Sequence, residues 1–322
     1  MSGRPAPRLV ALDWGTTSLR AYLMGDDGTV LERRAEPLGI LHVPERNFRA
    51  AFDAITAEWR ARHPALPAIA SGMIGSAQGW IEAPYASLPA DADSVARSLA
   101  TVPDVGLRIV PGLAQRDRAP DVMRGEETQL FGAMREFPAL SDGGVAVLPG
   151  THAKWARVAG DRVVGFTTYM TGELFAVLAR HSILGRLAGP GAGDAEPGNA
   201  FAQGVRHARD ASGGLASVIF SARSAVLVGD LRAEDSLEYL SGMLIGDEIR
   251  TGLDAGDQPR MLIGEPALCA RYAAAFAEFG VGEIAVAGDT APAGLWEIAL
   301  RAFPELQRAG RSSRKPVSDS IN

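Results

Sequence analysis

The sequence lacks several features that would place it in a class at once. Of its 322 residues only Cys269 is a cysteine, which excludes intramolecular disulfides. No apolar run approaches the roughly 20 residues of a membrane span, and residues 1–5 form no apolar signal core, so we expect a cytoplasmic protein. The net charge of −6 comes without a run of like charges, which predicts no nucleic-acid or membrane surface.

Lysine is scarce as well. Only two of the 32 basic residues are lysines, Lys154 and Lys315. Because Lys315 falls in a polar tail, residues 311–322, that we predict to be disordered, Lys154 is the only lysine expected in the folded body. In a chain that otherwise uses arginine, this choice indicates that a compact point charge is needed at Lys154.

Familiar nucleotide and metal motifs are also missing. There is no Walker A pattern, and the glycine-rich loop at residues 189–194 lacks both the preceding strand and the last glycine of a dinucleotide fingerprint. The histidines other than His152 show no ligand spacing, which argues against a zinc site.

What the chain does contain is a segment that occurs twice, at residues 10–22 and 145–157. Each copy reads as an apolar strand, a tight Gly-Thr turn, an alternating strand, a Gly-Asp turn and a third strand. Glycine lets backbone N–H groups approach closely and threonine adds a hydroxyl, so two such tips facing across a cleft predict a site for a phosphate chain. The predicted phosphate-binding residues are Gly15, Thr16, Thr17, Arg20, Gly150, Thr151, His152 and Lys154. For Arg20 and Lys154 a solvated strand charge is the alternative.

Hydrophobic periodicity predicts the element order βββαβαβα in each half, with inserted helices in the second. Three of the predicted helices span residues 91–101, 214–228 and 291–302. This order predicts an α/β protein with mixed sheets, and the 47% hydrophobic content suffices for a core in each half. We place the N-terminal domain at residues 1–138 and the C-terminal domain at 139–310.

Six motifs, in chain order over roughly residues 8 to 303, resemble the 2-dehydro-3-deoxygalactonokinase family of the sugar kinase, Hsp70 and actin superfamily. They are Asp13-Trp14-Gly15-Thr16-Thr17, Ser71-Gly72-Met73-Ile74-Gly75-Ser76, Arg124-Gly125-Glu126-Glu127-Thr128-Gln129, Leu148-Pro149-Gly150-Thr151-His152-Ala153-Lys154-Trp155, Tyr169-Met170-Thr171-Gly172-Glu173-Leu174 and Ser241-Gly242-Met243-Leu244-Ile245-Gly246. The resemblance implies two ribonuclease-H-like (actin-like ATPase) domains, each with a mixed five-stranded sheet, and a nucleotide cleft between them. It also implies ATP-dependent phosphorylation of the terminal (6-)hydroxyl of 2-dehydro-3-deoxy-D-galactonate in galactonate breakdown.

Three acidic residues are the catalytic candidates. Asp13 ends a buried strand, where a carboxylate needs a cation or a donor, and we assign it to Mg²⁺, with a cap on its own turn as the alternative. Aligning Gly15 with Gly150 puts Leu148 opposite Asp13, which leaves the number of protein ligands to the metal open. Glu127 matches the place where exopolyphosphatase relatives carry a catalytic glutamate, so it is the predicted general base, with Glu126 in reserve. The helix dipole alone would also favour both acids at a helix start.

The remaining site residues are expected to hold the substrate and the adenosine. The substrate, a sugar acid, needs fixed donors and an apolar wall, and the candidates are Trp14, Gly72, Met73, Gly75, Ser76, Trp80, Arg124, Thr171, Gly172 and Glu173. A helix cap and a core tryptophan are the alternatives for Thr171 and Trp80. The adenosine candidates are Gly264, Glu265, Pro266 and Gly288, for which ordinary strand-to-helix turns are the alternative.

Other functions stay open at this point. The acceptor could be another small sugar acid, such as 2-keto-3-deoxygluconate, because sequence does not separate epimers. A non-catalytic nucleotide-binding regulator and a polyphosphate phosphatase are further alternatives. The expected partners are ATP and a small sugar acid, without nucleic acid or membrane, and a homodimer is left open.

Overall fold

The computed structural model describes residues 5–116, 119–188 and 197–307. The chain divides into two compact units. The first comprises the described residues of Met1–Ser141, Ala159–Gly165 and Thr290–Asn322, and the second comprises those of Asp142–Val158 and Phe166–Asp289. Each unit is assembled from separate stretches of the chain, whereas each domain expected from the sequence is one continuous stretch. The division at residues 138/139 stays a prediction. The predicted disordered tail and the loop at 189–194 lie outside the described residues.

The first unit is built on a six-stranded mixed sheet. Its strands are β1 (Pro7–Trp14), β2 (Leu19–Gly25), β3 (Val30–Glu36), β4 (Ala68–Ser71), β6 (Ala100–Thr101) and β7 (Leu107–Ile109), and a separate sheet contains β5 (Tyr85–Ser87), β8 (Gly112–Gln115) and β9 (Asp121–Met123). The large sheet has the order β3-β2-β1-β4-β7-β6 and the small one β5-β8-β9. The helices are α1 (Phe48–Arg62), α2 (Ala92–Ala96), α3 (Glu126–Glu136) and α10 (Ala291–Ala302).

Strand β1 lies in the middle of this sheet and positions the first half of the site. It runs antiparallel to β2 and parallel to β4, with Asp13 opposite Arg20 on one side and Ser71 on the other. Its apolar residues from Leu9 onward are fully buried, as a strand covered on both faces requires. Helix α1 covers the core with one apolar face, on which Phe52 and Trp59 are fully buried.

Two local predictions in this unit are wrong. The helix predicted over 91–101 ends at Ala96, and Ala100–Thr101 form a short strand antiparallel to β7. The Val102 N–H donates to the Leu107 carbonyl at 2.9 Å, so the chain folds back and edge pairing replaces the last helical turn. The small sheet was not predicted because strands of three or four residues carry almost no periodic signal.

The second unit repeats the topology of the first. Its strands are β10 (Gly144–Leu148), β11 (Ala153–Ala159), β12 (Arg162–Tyr169), β13 (Pro259–Ile263) and β14 (Ala285–Ala287), in the order β12-β11-β10-β13-β14. This matches β3-β2-β1-β4-β7 position by position, again with one antiparallel and one parallel neighbour for the central strand. The predicted α/β fold with mixed sheets is therefore confirmed. The first large sheet has one edge strand more than the predicted five.

Six helices accompany the second sheet. They are α4 (Thr171–His181), α5 (Asn199–Asp210), α6 (Leu215–Val218), α7 (Ser221–Val228), α8 (Ser236–Asp254) and α9 (Pro266–Glu278). The single helix predicted over 214–228 is thus two short helices. Helix α8 is largely buried and packs on α5 through glycines, since a Cβ at Gly242 would lie 2.1 Å from the Phe201 carbonyl oxygen. Among the helices of the described ranges, none is both long and apolar enough to cross a membrane.

Candidate active site

The first Gly-Thr tip joins β1 to β2 and is held by its carbonyl groups. The Gly15 N–H closes the turn on the Ser18 carbonyl at 3.0 Å. The Gly15 and Thr16 carbonyls accept from the N–H groups of Ile40 and Leu41 at 3.0 and 3.3 Å. Within the described chain the N–H groups of Thr16 and Thr17 have no partner, and both residues are exposed. The tip therefore keeps donors available for a ligand.

The second tip joins β10 to β11 and is held in a similar way by the start of α4. The Thr151 carbonyl accepts from the Glu173 N–H at 3.0 Å, and the His152 Nε2 pairs with the Glu173 carboxylate. Gly172 lies against the tip, because a Cβ there would be 2.5 Å from the Gly150 carbonyl oxygen. The structure thus brings Gly150, Thr151 and His152, which are predicted to bind phosphate, together with Gly172 and Glu173, which are predicted to bind the substrate.

The registers of the two hairpins differ by one residue. Asp13 is opposite Arg20 in the first hairpin, and Leu148 is opposite Lys154 in the second. Residues 14–19 separate the first pair and residues 149–153 the second, so the second tip is one residue shorter. Lys154 consequently occupies the position of Arg20, although alignment of the Gly-Thr letters pairs it with Leu19.

The two opposed pairs, Asp13 with Arg20 and Leu148 with Lys154, differ in charge and burial. An Arg20 Nη1 lies 3.3 Å from Asp13 Oδ2, and the two side chains are 44% and 21% exposed. Lys154, by contrast, is only 4% exposed. Arg20 thus compensates the charge of Asp13, and its predicted contact with phosphate stays a prediction.

Glu127 is a fully buried carboxyl group at the start of α3. Its Oε2 accepts from the Gly125 N–H at 2.7 Å and its Oε1 from the Thr128 hydroxyl at 3.1 Å. Burial, and secondarily the charge of Glu126, raises the pKa of Glu127 to about 8. Glu126 itself, the reserve candidate, accepts from the Arg124 N–H at 3.0 Å.

Two glycines bring Glu127 and Asp13 to the same part of the first unit. Gly125 has φ +110°, and a Cβ there would lie 3.4 Å from the Gly72 Cα. Gly72 has φ +94°, and its Cβ would lie 2.8 Å from the Trp14 carbonyl oxygen and 3.5 Å from Asp13 Oδ1. Only residues without a side chain fit this path, so the loops after β1, β4 and β9 approach one another at their backbones.

The guanidinium of Arg124, in the first unit, uses only some of its hydrogen-bond donors. Its Nη2 donates to the Ala83 carbonyl at 2.9 Å, and its Cζ lies 4.4 Å from the centre of the Tyr85 ring. Its Nε and Nη1 are buried without a hydrogen-bond partner, and a Cβ on Gly75 would lie 3.0 Å from Nη1. Buried donors of this kind are costly, and an arginine edge is a common partner of carboxylates.

The other substrate candidates of this unit are tied up in local structure. The Trp14 side chain is fully buried and donates to the Leu38 carbonyl at 2.7 Å, so it belongs to the core and offers no surface to a ligand. Trp80 packs against Trp14 with ring centres 6.4 Å apart. The Ser76 hydroxyl donates to the Met73 carbonyl at 2.8 Å. For Met73, Ser76 and Trp80 the substrate role stays a prediction.

The adenosine candidates lie at two strand ends of the second unit. Gly264 has φ +152°, and its Cβ would lie 3.5 Å from the Pro149 carbonyl oxygen, beside the second tip. The Glu265 carboxylate caps α9 by accepting from the Leu268 N–H at 2.9 Å, and Pro266 is the first residue of that helix. Gly288 follows β14, with no atom within 4 Å of where its Cβ would be. For Glu265 and the other three residues the adenosine role stays a prediction.

A buried glutamate in the second unit was missed by sequence reasoning. The Glu248 carboxylate, on α8, accepts from Trp155 Nε1 and the Tyr272 hydroxyl, each at 2.7 Å, and from the Thr171 hydroxyl. Burial raises the pKa of Glu248 to about 7, although all three bonds act in the opposite direction. The signal that could have indicated it is the position of Glu248 between Leu244, Ile245 and Ile249, on the apolar side of a predicted helix.

The donor set suits a metal that is shared with phosphate. In the part of the chain that is described, no group of three or more His, Cys, Asp or Glu side chains could hold a metal ion. Asp13 is partly exposed at a strand end next to the free donors of the first tip. One carboxylate fits Mg²⁺, which keeps several waters and takes phosphate oxygens, and does not fit a cage made of protein ligands alone.

Comparison with known proteins identifies close relatives. The sequence model of the family described as 2-keto-3-deoxy-galactonokinase matches residues 13–298. A Rhizobium meliloti protein named "Probable 2-dehydro-3-deoxygalactonokinase DgoK1" is 41% identical over 301 residues, which cover 91% of this chain and 97% of that protein. The Escherichia coli 2-dehydro-3-deoxygalactonokinase is 38% identical over 296 residues, with the same two coverages, 91% and 97%.

Solved structures agree at the level of the fold. One, described as the "Crystal structure of a putative 2-dehydro-3-deoxygalactonokinase protein from Sinorhizobium meliloti", has a TM-score of 0.85 and 38% identity, and the match covers 92% of this chain and 99% of that one. The activator of the 2-hydroxyisocaproyl-CoA dehydratase from Clostridium difficile, with bound ADPNP, reaches a TM-score of 0.50 at 12% identity, with coverages of 96% and 98%. The second match concerns the fold alone.

Proposed function

This chain belongs to the 2-keto-3-deoxy-galactonokinase family, and from that premise we propose how it phosphorylates its substrate. The chain is a phosphotransferase, a kinase of carbohydrate metabolism. Its reaction moves the γ-phosphoryl group of ATP to the 6-hydroxyl of 2-dehydro-3-deoxy-D-galactonate, as a step of galactonate catabolism. The observation that carries the residue assignment is Glu127, a fully buried carboxyl group two residues after Gly125, which lies against Gly72 in the loop that approaches Asp13.

Glu127 is the general base of this proposal. The acceptor hydroxyl gives its proton to the Glu127 carboxylate while its oxygen forms the new bond to the γ-phosphorus. The bond between that phosphorus and the β,γ-bridging oxygen breaks, and ADP leaves with the electron pair. Because the pKa of Glu127 is raised to about 8, its basic form gains population as the pH rises from 7 to 9.

The two Gly-Thr tips bind the polyphosphate in this proposal. The N–H groups of Thr16 and Thr17, which lack partners within the described chain, donate to phosphate oxygens, and Lys154 contributes a positive charge on the second hairpin. Asp13 would hold Mg²⁺, which supplies neutralisation of the charge on the β- and γ-phosphates. Arg20, paired with Asp13, orients that carboxylate.

Arg124 recognises the carboxylate of the sugar acid. Its unpartnered Nε and Nη1 lie on different sides of the guanidinium, so the carboxylate accepts from one of them in this proposal. Both atoms are buried, so a small side-chain adjustment must accompany binding. The Tyr85 ring that lies on the guanidinium limits the direction of that adjustment.

The proposed enzyme works in the cytoplasm with ATP and the sugar acid as its partners, without nucleic acid or membrane. Its pI near 5.5 supports the exclusion of a nucleic-acid surface. Whether it forms a homodimer is measured directly by sedimentation velocity.

The test is ADP release with ATP and Mg²⁺ in the presence of 2-dehydro-3-deoxygalactonate, 2-keto-3-deoxygluconate, galactonate or no acceptor. We expect turnover with the first acid and release at the control rate with galactonate, which lacks the ketone. Faster turnover on 2-keto-3-deoxygluconate would keep the mechanism and change the substrate. Equal ADP release with and without every acid would contradict the kinase assignment and favour a phosphatase.

A further inference from the structure

We propose that Glu248 is a positioning residue that holds the second Gly-Thr tip in its nucleotide-binding form through Thr171 and Trp155. This inference rests on the proposed function, because it assumes that the tip binds the phosphates of ATP. Glu248 does not reach the tip itself. It is bonded to the two elements on which the tip depends.

The first of these elements is α4. Its first residue, Thr171, is 8% exposed and donates its hydroxyl to Glu248. The next two residues contact the tip, Gly172 at the Gly150 carbonyl and Glu173 at the Thr151 carbonyl and His152. A shift at Thr171 therefore passes directly to the backbone of the tip.

The second element is β11, which carries Lys154 and Trp155 next to each other. The Trp155 indole donates to Glu248 at 2.7 Å and packs between Tyr169 and Phe276, with ring centres 5.9 Å away in each case. A Cβ on Gly252 would lie 2.3 Å from the indole, so α8 also closes on it. Because successive strand residues point to opposite faces, fixing Trp155 fixes the direction of Lys154.

The chemistry of Glu248 matches this role better than a packing role. Its hydrogen-bond partners are all neutral, one indole and two hydroxyls. Burying a carboxylate without a cation destabilises the folded state, so an apolar residue would stabilise the core more. A carboxyl group offers about four acceptor positions, enough to receive donors from β11, α4 and α9 at one point.

Four variants test the proposal. Glu248→Ala removes all three bonds, and Thr171→Val removes the bond to α4 with little change in shape. Glu248→Gln can keep all three, since its oxygen accepts from Trp155 and its amide can donate to the two hydroxyls. Glu238→Gln is the matched control, because Glu238 lies on the same helix, is 6% exposed, and pairs with Arg271 away from the tip.

The measurements are the Kd for ADP by titration calorimetry, KM for ATP, and Tm for every variant. We expect Glu248→Ala and Thr171→Val to weaken ADP binding at least fivefold, with Glu248→Gln and Glu238→Gln within twofold of wild type. A purely structural role would lower Tm without changing the Kd of the folded protein. If Glu248→Ala does not fold, Thr171→Val decides the matter.

Several outcomes would overturn the inference. Unchanged ADP affinity in Thr171→Val, while the wild-type protein binds ADP and turns over, would overturn this inference alone. So would a loss in Glu238→Gln as large as that in Thr171→Val, or a loss in Glu248→Gln as large as that in Glu248→Ala. A wild-type protein that binds no nucleotide would overturn the proposed function, and this inference with it.

Discussion

The two hairpins share a topology and differ in chemistry. Both join the central strand of a mixed sheet to its antiparallel neighbour, and in both the carbonyl of the tip threonine accepts an N–H from a following segment, Leu41 in one and Glu173 in the other. The first presents an acid paired with an arginine, whereas the second presents Leu148 opposite a buried lysine. The backbone topology is thus repeated, while the charges are set by single residues.

The buried glutamates extend this comparison. Glu127 has two donors and a like charge, Glu126, beside it, whereas Glu248 has three donors and the lower of the two raised pKa values. A carboxyl group with few partners is suited to exchanging a proton, and one with all its partners fixed is suited to holding elements in place. We therefore assign the chemistry to the first unit and the support of the phosphate tip to the second.

The largest expected effect is on proton transfer. Glu127→Gln should lower kcat by roughly 10²–10⁴-fold with ADP affinity retained, because the amide keeps the shape and cannot accept the proton. Wild-type kcat/KM should rise with pH toward the pKa of about 8, and the variant should lose that limb. Glu126→Gln is the matched control, expected within a few-fold of wild type. If the control lost more activity than Glu127→Gln, the two glutamates would exchange roles.

The next effect concerns the acid that only the first hairpin has. Asp13→Asn should lower kcat/KM by about 100-fold, equivalent to about 3 kcal/mol of transition-state stabilisation, and should raise the Mg²⁺ concentration needed for half-maximal rate. Steady-state rates across a Mg²⁺ series measure both. Asp26→Asn, an exposed acid in the following turn, serves as the control. An unchanged Mg²⁺ dependence in Asp13→Asn would remove the metal assignment.

Smaller effects should separate the two basic residues. Lys154→Met should raise KM for ATP by about ten- to 100-fold, as expected for the loss of one charged hydrogen bond. Arg20→Met should raise it less and act mainly on kcat, because Arg20 pairs with Asp13 and is 44% exposed. Initial rates at varied ATP concentration give KM and kcat for both variants and so distinguish the two effects. Equal changes in KM would mean that both hairpins use their basic residue in the same way.

The smallest effect is on stability. Both buried glutamates have pKa values raised above 4.5, so their neutral forms favour the folded state below pH 4.5, and this contribution is lost as the pH rises through about 7 and 8. The free energy of unfolding should fall by at most about 1.4 kcal/mol per pH unit for each group. Thermal unfolding at pH 5.5, 7 and 8.5 should show a shallower decline for Glu127→Gln. A decline that matches wild type would mean that Glu127 is not buried in solution.

Much of this protein was predictable from local pattern. The repeat near Gly15 and Gly150 predicted two sheets of the same topology, and the helix at 291–302 was predicted with the bounds it has. The motif around Glu127 indicated a special carboxyl group, which the structure shows to be fully buried. The failures were at residues 91–101 and 214–228 and in the small sheet, where strands of two to four residues and short helices are too brief to show a clear period.

The sequence by itself determined the fold class, the two Gly-Thr tips and the family, because strand and helix periods and turn chemistry are local properties. Only the tertiary structure decided which side chains meet. It set Lys154 opposite Leu148, paired Arg20 with Asp13, drew Glu173 to His152 and made Glu248 a shared acceptor. It also grouped α10 with the first unit, where a Cβ on Gly294 would lie 1.8 Å from the Thr128 carbonyl oxygen of α3. The contacts of Glu248 with Trp155 and of Gly294 with Thr128 join residues far apart in the chain, and their geometry follows from packing, which no local pattern contains.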